Sequence, residues 1–246
     1  MIRDVLVVGP IQANCHLLGC PATRAGLILD PGDDPDEIAR RIERHGLKPA
    51  YYLHTHGHID HVGATAALKE RFGGEILLHR ADLFLYEHAR EHAQAYGIDI
   101  PPTLPVDRFI ADGEVLVWGE MRGTILHTPG HSPGGICLRV PGACMNAGEP
   151  AAAPGGRPPG RGGASGAGAP SPDWVFTGDT LFMGSVGRTD LPGGSWALLL
   201  RSIREKLLPL PDECVVASGH GPLSTIGEER RRNPFLQAGA EFAEGD

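Results

Sequence analysis

Thiol chemistry is scarce in this chain: five cysteines stand among 246 residues, and none are spaced as Cys-x-x-Cys. That excludes a four-cysteine metal knot, and the odd count speaks against a complete disulfide framework. No apolar run approaches the length of a membrane-spanning helix, and the N-terminal MIRDVLVVGP has too short an apolar stretch for a secretory leader. A cytoplasmic protein with no membrane partner is therefore expected. Positive charge is also sparse. Lys and Arg total 22 against 30 Asp and Glu, a formal net charge of -8, and no basic stripe is present, which argues against nucleic acid as a partner. The runs Arg40-Arg41 and Arg230-Arg231-Arg232 lie beside glutamates and read as solvated helix faces.

Histidine, in contrast, is plentiful and clustered. The run His56-Gly57-His58-Ile59-Asp60-His61 packs four potential metal ligands into six residues, just past the apolar stretch Ala50 to Leu53. Alternate side chains of an extended segment share a face, so His56, His58 and Asp60 can reach one ion or two adjacent ones. His61 follows Asp60 directly and must turn away, toward a second position. So many polar groups in one loop have no packing purpose.

Three more candidates follow at long intervals: His131 in HTPGHSPGG, Asp179 in VFTGDT and His220 in VVASGHGP. Each comes after an apolar stretch and small residues. His127 competes with His131, and Asp179 reads equally well as a helix-cap or turn aspartate. Together, five imidazoles and two carboxylates exceed the three or four ligands of a single zinc, whereas two ions sharing a carboxylate use them all. This mixed set suits zinc, iron or manganese better than calcium or magnesium. Two divalent ions are expected, zinc in the first place. His16, His45, His79, His88 and His92 read as packed or hydrogen-bonded histidines.

Hydrophobic patterning predicts strands over Val5–Val8, Asn14–Leu18, Gly26–Leu29, Ala50–Leu53, Glu75–His79, Glu114–Trp118, Gly123–His127, Ile136–Val140, Trp174–Thr177 and Cys214–Ala217. Helices are predicted from an Asp34 cap to about His45, over Val62–Phe72, Ala81–Ala95, Ser195–Leu207 and Glu228–Phe235. Residues 142–172 are mostly Gly, Ala and Pro, with Met145 as the one large apolar residue. Such a segment cannot offset its ordering entropy and is expected to be a disordered insertion, either inert or a flap beside His131 and Asp179.

In its HxHxDH run, followed in order by a histidine, an aspartate and a histidine, the chain resembles the metallo-beta-lactamase superfamily. TPGHSPGG, FTGDTLF, GRTDLPGGS and SGHGPLSTIGEERRRNPF look closest to the single-domain type II glyoxalase-like hydrolases. The resemblance implies an α/β fold, the αβ/βα four-layer metallo-beta-lactamase sandwich, as one domain over 1–246. It implies a first metal on His56, His58 and His131, a second on Asp60, His61 and His220, and Asp179 bridging both. Asp60 and Asp179 would be the catalytic carboxylates that orient a hydroxide attacking a small-molecule acyl thioester such as S-lactoylglutathione. Larger members hold glutathione through a C-terminal helical domain, so a different thiol carrier is possible here. Persulfide dioxygenases, with one iron and molecular oxygen, resemble the chain in HxHxDH, TPGH and GRTD and are the runner-up. A non-catalytic metal-binding module is the third reading, against which stands the retention of all seven donors.

Three further positions have two readings each. Asp30 is either a carboxylate behind a ligand histidine or a plain turn residue. His54 is a buried strand residue or a partner of a ligand. Arg188 and Asp190 form an ion pair that shapes the pocket rim, or simply meet in solvent.

Overall fold

Apolar residues alternate along the strands, and the side chains they send to opposite faces end in different cores. The computed structural model describes residues 1–145 and 171–237. Its first sheet contains β1 (Ile2–Val8), β2 (Ala13–Gly19), β3 (Ala25–Leu29), β4 (Lys48–Leu53), β5 (Glu75–His79) and β6 (Arg108–Ile110). They lie side by side in chain order, antiparallel up to β3 and parallel from there. The later strands are β7 (Val115–Trp118), β8 (Met121–His127), β9 (Ile136–Val140), β10 (Trp174–Gly178), β11 (Leu181–Phe182), β12 (Ser185–Val186), β13 (Val215–Ser218) and β14 (Ser224–Thr225). The second sheet runs β7-β8-β9-β10-β13-β14, and β11 pairs with β12 as a small hairpin. Helices α1 (Pro35–His45), α2 (Ile59–Val62), α3 (Thr65–Phe72), α4 (Leu83–Glu87), α5 (Ala89–Ala95), α6 (Gly142–Met145), α7 (Trp196–Ser202) and α8 (Ile226–Arg232) complete the elements used below.

Leu27, Leu29, Leu53 and Leu77 of the first sheet share a core with Trp118, Leu138, Phe176 and Ala217 of the second. Their strand neighbours Ile28, Tyr52, Ile76 and Leu78 face the other way, onto Ile38 and Ile42 of α1 and Leu68 of α3. On the far side, Cys137, Val175 and Val216 pack with Leu199 of α7 and Ile226 of α8. Three apolar cores thus separate four layers, helices on sheet on sheet on helices, which is the expected αβ/βα sandwich. Burying each Leu-sized side chain contributes about 1.5–3 kcal/mol, so every strand with apolar residues on both faces ties two layers together.

Several predicted elements differ in detail. The helix expected over Val62–Phe72 begins earlier and is split into α2 and α3. Gly63 falls at the break, where its backbone packs so closely that a Cβ would lie 2.5 Å from Gly32 O. The helix expected over Ala81–Ala95 is a 3-10 turn at Arg80–Asp82 followed by α4 and α5, which meet at His88. Asp34 makes no side-chain cap; its φ is 52°, and its carboxylate accepts from Gly9 N at 2.9 Å. Helix α8 starts at Ile226, capped by Thr225 Oγ1, and gives way to a 3-10 turn at Pro234–Leu236. Most of the Gly/Ala/Pro-rich stretch expected to be disordered lies outside the described residues. Its first four residues form α6 instead, helped by Gly142 N donating to Asp173 Oδ1 at 2.8 Å. No helix among the described residues is long and apolar enough to cross a membrane.

Candidate metal centre

Strand β4 ends at Leu53; the loop leaving it carries His56 and His58, and the short helix α2 that follows carries Asp60 and His61. Asp30, one residue past β3, organises that loop. It is 1% exposed, and its carboxylate accepts from Thr55 N and Thr55 Oγ1, both at 2.7 Å. Its Oδ2 also lies 3.0 Å from His61 Nδ1, and Thr55 Oγ1 lies 3.0 Å from His56 Nδ1. The His56 ring is held by Nδ1 and the His61 ring has Nδ1 against the Asp30 carboxylate, so in both Nε2 faces the cluster. Asp30 is thus the carboxylate behind a histidine, as one of its two readings had it.

Asp82 does a similar job between loops, and sequence reasoning missed it by placing it inside a helix. It is fully buried, accepting from Gly57 N at 3.0 Å, Ser132 Oγ at 2.7 Å and Gly134 N. One carboxylate therefore ties the His56–His61 loop to the loop that carries His131. Burial raises its pKa, while those donors oppose the rise. Its only trace in the sequence is an acidic residue just after a strand.

The third and fourth loops follow β10 and β13. These strands are parallel, with Gly178 opposite Ser218, so Asp179 and His220 emerge side by side. Gly219 must be glycine-like here: a Cβ would lie 2.3 Å from Asp179 Oδ1 and 2.9 Å from His61 Cε1. The start of β2 pins the same loop, with Asn14 N donating to Gly219 O at 2.7 Å and Asn14 Nδ2 to Ser218 O at 2.9 Å.

All seven predicted donors come together. His131 donates through Nδ1 to Arg188 O at 2.8 Å, and its Nε2 lies 2.9 Å from His58 Nδ1 and 3.3 Å from His56 Nε2. His220 donates through Nδ1 to Gln12 O at 3.1 Å, and its Nε2 lies 3.3 Å from Asp60 Oδ2. Asp179 stands between the two groups: its Oδ2 is 3.7 Å from His131 Nε2 and 3.5 Å from His220 Nε2, and its Oδ1 is 3.5 Å from His61 Nε2. Three sets of donors within 4.8 Å result: His56, His58 and His131; His56, His61 and Asp179; Asp60, His61 and His220.

This chemistry fits metal ions. Three ring nitrogens converge around His131 Nε2, and no placement of protons gives each a good acceptor, whereas a cation takes a lone pair from all three. His61 Nε2 and Asp179 Oδ1 are buried and, among the described residues, have no hydrogen-bond partner. Electrostatics differ across the site. Burial, reinforced by neighbouring histidines, pushes His56 well below the usual imidazole range and His58 down to about 3. Burial also opposes charge on His61, but Asp60, Asp30 and Asp179 raise its pKa to about 10. Three carboxylates around one ring call for positive charge.

A cleft of about 700 Å³ opens over His58, Asp60, His131, Asp179 and His220. His92 and Tyr96 also line it, and neither was singled out as a site residue in sequence. His127 stays apart: its Nε2 lies 3.0 Å from Pro133 O, and its ring stacks on His79 at 4.1 Å. His54 is a buried hydrogen-bonded residue, with Nδ1 3.1 Å from His61 O and Nε2 3.3 Å from Thr65 Oγ1. Arg188 and Asp190 do pair, at 2.6 Å, and Arg188 lines the cleft, though both side chains remain largely exposed.

Residues 8–143 and 146–220 match the family model of the metallo-beta-lactamase superfamily. The chain belongs to that superfamily. Within it, the chain is 38% identical over 237 residues to hydroxyacylglutathione hydrolase GloC of Haemophilus influenzae, covering 96% of this chain and 98% of that one. Among solved superfamily structures, TTHA1623 in a di-iron-bound form is 38% identical with a TM-score of 0.76, covering 95% of this chain and 100% of that one. BLEG-1, a B3 metallo-beta-lactamase, is 34% identical with a TM-score of 0.76, covering 96% and 99%. The protein is accordingly a metallo-hydrolase of this superfamily.

Proposed function

We propose that the protein hydrolyses acyl thioesters with two divalent metal ions held by the seven donors. His56, His58 and His131 would hold one ion, Asp60, His61 and His220 the other, and Asp179 would reach both. The observation that carries this reading is the position of Asp179, within 3.7 Å of donors from either group. The likeness to hydroxyacylglutathione hydrolase GloC supports the thioester as the bond attacked. The donor chemistry suits zinc, and iron or manganese equally fits it; the similar TTHA1623 is a di-iron form.

When bound, two such ions would lower the pKa of water toward neutrality and polarise the carbonyl to be attacked. The protein's own residues do the rest. Asp60 and Asp179 line the cleft, where their carboxylate oxygens orient the attacking water and receive its proton. Asp30 and Thr55 fix the rings of His56 and His61 through Nδ1, so the donor set needs no reorganisation during turnover. The balance is simple: a C–O bond forms, the C–S bond breaks, and a carboxylic acid and a thiol leave. A small-molecule substrate rather than nucleic acid belongs to the same reading.

The test is metal content per chain on freshly purified protein, with S-lactoylglutathione hydrolysis assayed on the same sample. Two metals per chain with hydrolysis is the expected result. One iron per chain, no hydrolysis and oxygen uptake with a persulfide would replace this reading with the dioxygenase.

A further inference from the structure

The thioester reading names the bond; the walls of the cleft bear on what is attached to it. Away from the metal donors, those walls are mainly apolar, with Ile11, Leu85, Phe182, Val186, Leu191 and Pro192 outnumbering the polar His92, Tyr96 and Arg188. Ile11 and Tyr96 keep 42% and 68% of their surface exposed there, and Met183, next to Phe182, keeps 54%. Large apolar side chains left in solvent around a concave site mark a surface that an apolar ligand covers. The volume, about 700 Å³, falls in the range of sites that enclose drug-sized ligands, far more than a lactoyl group fills.

Charge points the same way. Arg188 is the only guanidinium or ammonium group among the described residues lining the cleft, and Asp190 engages it through both carboxylate oxygens at 2.6 Å. Among the described residues no unpaired guanidinium or ammonium lines the wall to grip the carboxylates of an anionic carrier, and Asp60 and Asp179 add negative charge. Binding energy must come mainly from apolar contact. A hydroxyl on the acyl group would leave water for a wall in which only His92, Tyr96 and Arg188 are polar apart from the metal donors.

Resting on the thioester reading, we infer that this cleft selects thioesters bearing an apolar acyl chain over those bearing a small hydroxyacyl group. Both ends of the substrate then have an account: the donors act on the carbonyl, and Ile11, Phe182 and Leu191 bury the chain.

The experiment is a series on one carrier, using the full-length, metal-loaded protein: S-lactoyl-, S-butanoyl-, S-hexanoyl- and S-octanoylglutathione. kcat/KM is expected to rise by about fourfold for each methylene buried until the cleft is full, with the butanoyl ester ahead of the lactoyl ester. Ile11→Glu, at an exposed position where folding is not at stake, should flatten that rise. A lactoyl ester that outruns the butanoyl ester, or a rate that stays flat or falls with chain length, overturns the inference while leaving thioester hydrolysis standing. No turnover of any member by protein holding its metals overturns the thioester reading and the inference together.

Discussion

Four of the seven donors leave the first sheet in a single six-residue loop, whereas the other three leave the second sheet in three separate loops. The first group is held by chain continuity and chiefly by Asp30, acting on His61 directly and on His56 through Thr55, with Asp82 adding a bond to Gly57 N. The second group depends on long-range structure: the parallel register of β10 and β13 for Asp179 and His220, and Asp82 for the His131 loop. One half of the site is therefore local and the other is a product of the whole fold. Damage to the second half should propagate further.

Asp179→Ala attacks the place where the halves meet. It should lower metal content below two per chain and cut kcat by about 10²–10³ or more, the scale of losing a preorganised electrostatic group. Near-full turnover with unchanged metal would show that the halves work independently.

Asp82→Asn leaves every donor in place but sets an amide against backbone N–H donors. Loss of such a supporting partner typically weakens metal binding by about 10- to 100-fold. Competition with a chelator would measure it, and the loss should be in the ion held by His131. Equal weakening at both ions would mean that Asp82 supports the site as a whole rather than the link between loops.

The smallest effect concerns two buried histidines, His16 in β2 and His54 just past β4. Burial lowers the pKa of His16 and of His54 to about 4. In the unfolded chain each binds a proton near pH 6.5, so between about 6.5 and 4 the unfolded state holds more protons than the folded state. The stability these neutral rings confer is fully present above pH 6.5 and is lost as pH falls toward 4. Urea unfolding across that window should show His16→Leu reducing the pH slope by about one proton, near 1.4 kcal/mol per pH unit. An unchanged slope would mean that His16 does not share in the acid sensitivity.

The same division explains what could be read from the chain. The HxHxDH loop was legible because its donors are contiguous and no packing role competes with them. Asp179 was ambiguous because a turn aspartate and a metal donor look alike until β13 is laid beside β10. Asp82 was invisible, since its three partners lie 25 to 52 residues away and leave no periodic trace. The strands were readable from alternation, but their stacking into four layers came from resemblance, because apolar residues on both faces of β3, β5 and β10 suit several α/β arrangements. The split between α2 and α3 escaped because it answers to the carbonyl of Gly32, far away in sequence.

Asp82 also stands at the head of α4, in the 3-10 turn that leads into it. A helix end is where local opening starts. Because the two loops share this anchor, fraying of that turn would loosen them together. A mutation that steadies that turn should therefore slow the escape of whatever the two loops grip, without touching a donor.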